Sequence, residues 1–301
     1  MAKGKIRRSF ELAGKSLSVL RKDKEMLLFP ISSLILGILV TGIAVFLLYF
    51  SGSFQEIVHK KAEHVTVVWL YLGLFLYYLV IYFIGIFFNA ALVKCVYIRL
   101  RGGNPTFSDG IKSSLQNIKA IFLWSLIAST VGIILNIIQD KFRRFGWVIG
   151  NIGQVAWSCA ILFVVPVLII EKESVINSIK KSAKIFVQRW GESVVGGIGI
   201  GIAAAIYLFA GLAVILLLCF LSHIPWIIGL CISLLHVFLT FLVSVTLNDI
   251  YTIALYNYAT SGESTDIFSE DMLKNSFNPK PPSFYSGFRM PGFPGQEPGQ
   301  I

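Results

Sequence analysis

The sequence predicts an all-α, polytopic membrane helix bundle: six transmembrane helices, with amphipathic interfacial helices before spans 1, 3 and 5. Three observations carry this reading. Six long apolar runs occupy residues 27–50, 65–93, 118–138, 146–170, 194–221 and 224–247. Each has about the 20 residues a helix needs to cross roughly 30 Å of hydrocarbon. The 301 residues are 55% hydrophobic and only 14% charged, where soluble chains carry about 25% charged residues. The basic residues also fall on alternate connections, as in a chain threaded back and forth through a bilayer. Runs this long must be helices, because in lipid every backbone N–H and C=O has to be paired within its own segment.

The elements follow in order. Residues 1–26 carry eight Lys or Arg, and Ile6, Phe10, Ala13, Leu17 and Leu20 recur on one helical face. A basic amphipathic helix of this kind lies in the headgroup plane. The first span, with its twenty-four uncharged residues, exceeds a signal-peptide core of about 7–15 residues, so it reads as a retained span. The connection between spans 2 and 3 repeats the amphipathic pattern with Phe107, Ile111, Leu115, Ile118 and Phe122. The connection between spans 4 and 5 repeats it with Val175, Ile179, Ala183, Phe186 and Trp190. All three share Ile, a basic residue, any residue, Ser and an apolar residue: Ile6 to Phe10, Ile111 to Leu115 and Ile179 to Ala183. Three parallel copies of one unit would produce this recurrence. So would three ordinary cytoplasmic linkers. Phe10, Leu115 and Phe186 are expected to dip toward the acyl chains.

Pro166 should kink span 4, since it removes a backbone hydrogen bond. Gly197 and Gly201, like Gly146 and Gly150, have the spacing that lets helices pack closely. The sixth helix is expected to run on to Gly262 as a helix stop, a length of about 54 Å at 1.5 Å per residue. Residues 1–274 then form one membrane domain. Residues 275–301, with six prolines from Pro279 onward, read as a disordered cytoplasmic tail.

Charge sets the orientation. With the N-terminus inside, 21 of the 26 Lys and Arg fall on the inner side and five outside. Both termini are therefore expected in the cytoplasm, with the protein in the cell membrane, the inner one if the cell has two. The net charge of +10 then speaks for anionic lipid headgroups, not nucleic acid. Arg7, Arg8, Lys112, Lys180 and Lys181 are the expected headgroup contacts. Self-association into a homo-oligomer stays open.

Candidate chemistry is sparse. Cys95, Cys159, Cys219 and Cys231 form no CxxC pair and read as buried thiols. His59 and His64 lack a metal-binding spacing, and no nucleophile elbow, Walker motif or inward carboxylate pair appears. The chain is therefore read as no enzyme, without metal or cofactor. Polar residues inside spans are the usual pointer to function, and the candidate intramembrane polar site is Asn89, Ser158, His236 and Asp249. The first three are expected to face the bundle interior, and Asp249 to pair with a loop cation or to be solvated. Asn136, Asn151, Gln154 and Thr240 are further candidates for bonds between helices. Two functions remain: non-enzymatic transport or lipid handling, and a membrane scaffold recruiting partners through its basic helices and tail.

Several residue strings also resemble a known signature. They are Phe88-Asn89-Ala90-Ala91-Leu92, Arg99-Leu100-Arg101-Gly102-Gly103-Asn104-Pro105-Thr106 and Asp109-Gly110. Trp157-Ser158, Val164-Val165-Pro166-Val167 and Glu171 follow, then Ile179-Lys180-Lys181-Ser182, Trp190-Gly191-Glu192 and Leu255-Tyr256-Asn257-Tyr258-Ala259 with Gly262. Together, over residues 5–275, they resemble an uncharacterised prokaryotic six-span integral membrane family, a domain of unknown function. The resemblance implies the topology and no activity.

Overall fold

The computed structural model describes residues 2–51, 64–142, 147–188, 190–221 and 225–261. Helix α1 (Ala2–Lys22) leads through a 3₁₀ turn (Lys24–Leu27) into α2 (Leu28–Phe50). Then come α3 (His64–Leu100), α4 (Phe107–Gln116), α5 (Ile118–Phe142) and α6 (Trp147–Ile161). Helix α7 (Val164–Pro166) runs into a π-helical turn (Val167–Glu171), followed by α8 (Val175–Gln188), α9 (Trp190–Leu221) and α10 (Trp226–Ser261). Six of these segments are long and apolar enough to cross a membrane, so the chain is a multi-pass membrane protein. The amphipathic helices expected before spans 1, 3 and 5 are α1, α4 and α8.

Two spans are far longer than the bilayer requires. Helix α3 has 37 residues and α10 has 36, about 55 Å each at 1.5 Å per residue. Both must project beyond the hydrocarbon. Extension of the sixth helix was legible in the sequence. Extension of the second was not, because Lys94, Arg99 and Arg101 read as the start of a connection. Gly262 and the 275–301 tail lie outside the described residues.

The core sits at one end of the bundle, the end that carries α1, α4 and α8. It is built from Leu20 and Phe29, the Ala90–Val93 segment, Ile121 and Trp124, Phe163 and Leu168, and the Ile250–Tyr256 stretch. Away from that end the spans present apolar surface: Leu39 is 60% exposed and Phe220 80%. Packing apolar faces together gains little where the solvent is itself apolar. Near the polar boundary that gain returns, and the interfacial helices pack on the span ends. Phe186 is a correction on this point: it is buried in protein, not dipped into lipid. Leu115 is exposed, and the side chain of Phe10 lies outside the described residues.

The kink expected at Pro166 is a full break in span 4. The chain turns at Leu162–Phe163, four residues before the proline that cannot donate to the Leu162 carbonyl. The helix restarts with the Val167 N–H donating to the Phe163 carbonyl at 3.0 Å. The Phe163 N–H, freed at the break, donates to Ser182 Oγ at 2.9 Å. In the preceding unit the Ser114 hydroxyl donates to the Phe87 carbonyl at 2.9 Å. Ser114 and Ser182 occupy the same place in the shared motif, and both are 0% exposed. The motif serine thus bolts α4 and α8 each to the span before it.

Glycine use differs from expectation. A Cβ at Gly201 would meet nothing within 4 Å, so Gly201 is not a packing site. Gly146, Gly150 and Gly197 lie outside the described side chains. Close approach occurs at Gly110, where a Cβ would fall 2.6 Å from Phe29 Cζ and 2.8 Å from the Ala91 carbonyl oxygen.

Candidate functional site

Helix α10 brings polar groups to two of its faces. On one, His236, Thr240 and Ser244 recur at a spacing of four and line a groove with α9 and α1. On the other, Asp249 faces α3. At about 100° per residue it lies roughly 140° around the helix from His236.

The groove has a volume of about 550 Å³. Helix α9 contributes Ile200, Ala203, Ala204 and Tyr207, and α1 contributes Ala13, Gly14, Leu17 and Arg21. The small residues leave the space. The face of α1 bearing Ala13 and Leu17 meets the groove, while the neighbouring ridge of Leu12, Ser16, Val19 and Leu20 is buried in the core. Tyr207 and Leu239 line the groove and are 64% and 51% exposed, so it opens onto the apolar surface. Arg21 is its one charged lining residue among those described.

The polar atoms of the groove are only partly satisfied. The Thr240 hydroxyl donates to the His236 carbonyl at 2.8 Å, and the Ser244 hydroxyl to the Thr240 carbonyl at 2.6 Å. Donation back along the helix leaves the lone pairs of both oxygens available. The His236 ring packs at 5.3 Å from that of Tyr207 and against Gly211, where a Cβ would strike Nε2 at 2.2 Å. Buried there, Nε2 has no hydrogen-bond partner.

On the opposite face, Asn89 Nδ2 donates to Asp249 Oδ2 at 3.0 Å. The expected loop cation or solvation of Asp249 is corrected: its partner is an amide from another span. The pair ties α3 to α10 and does not border the groove. Ser158 is exposed, correcting its expected inward orientation. Asn136 and Gln154 are exposed too, Thr240 bonds within its own helix, and the side chain of Asn151 lies outside the described residues. The four candidates thus divide into one groove residue, one helix-bridging pair and one surface hydroxyl.

The expected headgroup cations divide as well. Lys112 and Lys180 are exposed. Lys181 is instead paired with Glu171, which also accepts from the Tyr256 hydroxyl. The side chains of Arg7 and Arg8 lie outside the described residues.

Several of the strings quoted for their family resemblance are structural locks. Arg99 grips the Asp23 carboxylate with two bonds and donates to Asn104 Oδ1 at 2.7 Å. Gly102 takes a φ of +82°, the left-handed turn that suits glycine. Thr106 and Asp109 form a capping box at the start of α4. The Thr106 hydroxyl and amide, donating to the Asp109 carboxylate, hold its pKa below the ordinary value. Glu25 adds a second acceptor there, taking the Phe107 N–H at 3.0 Å, where a helix N-terminus favours negative charge. Sequence reasoning missed the Asp23–Arg99 pair and the Glu171 cluster, whose members lie in separate elements.

No curated protein and no solved structure matches the chain. Residues 67–266 match the family of unknown function DUF6159. With six apolar spans, a basic-end core and a match over most of its length, the chain belongs to that family.

Proposed function

We propose that the protein is a non-enzymatic, lipid-handling protein of the cell membrane, working through the groove between α1, α9 and α10. One observation carries the reading: the groove is lined mostly by apolar side chains and opens on apolar surface at Tyr207 and Leu239. A pathway for a polar solute would instead need polar walls, and Asn89 and Asp249 bond to each other on the far side of α10. Ligand sites of this size are mostly apolar with a few placed polar groups, and Arg21, His236, Thr240 and Ser244 fill that part. Both termini lie in the cytoplasm in this reading, supported by the 21-to-5 charge split. The inner membrane is then the site in a two-membrane cell.

The test is to fill the groove. Ala204→Trp should remove co-purifying lipid by half or more, measured by extraction and mass spectrometry, while the protein still elutes as a folded species. Lipid retention equal to wild type in the folded variant would reject the groove as the working site.

A further inference from the structure

The lining of the groove points to the kind of lipid it takes. We propose that it binds an anionic phospholipid, with the phosphate against Arg21 and one acyl chain lying among α1, α9 and α10. This rests on the reading of the groove as the working site.

Charge complementarity selects the headgroup. Arg21 is the charged lining residue, and no carboxylate lines the groove among the described residues. Arg21 stands in the last turn of α1 beside Lys22. A guanidinium offers phosphate a planar fork of donors. The side chain is exposed, and neither of the ion pairs Asp23–Arg99 and Glu171–Lys181 involves it.

Volume selects one chain. At about 30 Å³ per heavy atom, the share a water takes in the liquid, the 550 Å³ groove holds roughly eighteen heavy atoms. That suits a single acyl chain. The open rim at Tyr207 and Leu239 leaves the second chain in the bilayer. Polar atoms inside the groove favour a glycerolipid over a plain hydrocarbon. Thr240 and Ser244 keep free lone pairs, whereas His236 Nε2 is turned away against Gly211. A hydroxyl of the lipid headgroup can donate to those lone pairs, which an ester oxygen, carrying no hydrogen, cannot.

The experiment uses the full chain in a non-ionic detergent. It is incubated with phosphatidylglycerol and phosphatidylcholine of identical chains, and retention is read by native mass spectrometry. Wild type should retain phosphatidylglycerol about fivefold over phosphatidylcholine, the equivalent of about 1 kcal/mol for one interfacial cation. Arg21→Gln should bring the ratio to about one with phosphatidylcholine retention unchanged. Lys141→Gln, an exposed cation away from the groove, should keep the wild-type ratio. Ala204→Trp should lose both lipids, and Ser244→Phe replaces it if that variant does not elute as a folded protein. A wild-type ratio of one, or a preference that survives Arg21→Gln, overturns the anionic assignment and leaves the groove reading standing. Displacement of phosphatidylglycerol by equimolar oleate overturns the phospholipid assignment. Undiminished retention in the filled variant overturns the groove reading itself.

Discussion

Replacing Ser182 by alanine strands the Phe163 amide. That N–H lost its helical partner at the break before Pro166, and Ser182 Oγ accepts its bond at 2.9 Å. Phe163 and Ser182 are both 0% exposed, so water cannot substitute. An orphaned buried donor costs about 1–3 kcal/mol. The equivalent change at Ser114 is milder. Its hydroxyl donates to the Phe87 carbonyl, an oxygen inside the continuous helix α3. That oxygen keeps its helical bond, so the loss is about 0.5–1.5 kcal/mol, a typical net hydrogen bond. At roughly 2–4 °C per kcal/mol for a chain of this size, Ser182→Ala should lower the unfolding midpoint by about 2–12 °C. Ser114→Ala should shift it by less. The assay is survival of the detergent-solubilised monodisperse peak after heating, for wild type, each single variant and the double variant. The two sites lie in different units and share no partner, so the effects should add. A Ser182→Ala midpoint within 1 °C of wild type, or above that of Ser114→Ala, would refute the reasoning.

Gly110→Ala should cost about 1–3 kcal/mol by overpacking, since its Cβ meets the Ala91 carbonyl oxygen at 2.8 Å and backbone cannot yield. Gly201→Ala, with open space around it, should instead gain about 0.5–1 kcal/mol in the same heating assay. Equal effects at the two glycines would sink the packing argument. At the capping box, the lowered pKa of Asp109 fixes the sign of a pH effect. Its contribution is complete above the unfolded value of 3.8 and fades as pH falls through the lower folded value. Asp109→Ala should therefore lower the midpoint at pH 7, by a gap that narrows as pH falls below 3.8, and a gap independent of pH contradicts this. Cysteine labelling at an introduced Ser283→Cys should proceed only after the membrane is permeabilised, and labelling from outside in intact cells would reverse the proposed topology.

Some features were decided by the sequence alone because their physics is local. Spanning requires a length and an apolar composition, so six membrane segments can be read residue by residue, as can a disruption of span 4 at Pro166. The positions of α1, α4 and α8 follow from a 3.6-residue apolar stripe beside basic residues. The direction each span faces does not follow. A helix apolar on all sides has almost no sidedness, so Ser158 and Asn89 look alike in sequence, yet one is exposed and the other bonds Asp249 across 160 residues. The same blindness hid Phe186, whose stripe suits lipid and protein equally. The groove is the clearest case. Its three walls come from the first, ninth and tenth helices, and neither Arg21 nor Ala204 carries any local sign of the other. Only the docking of α1 against α9 and α10 leaves the space between them.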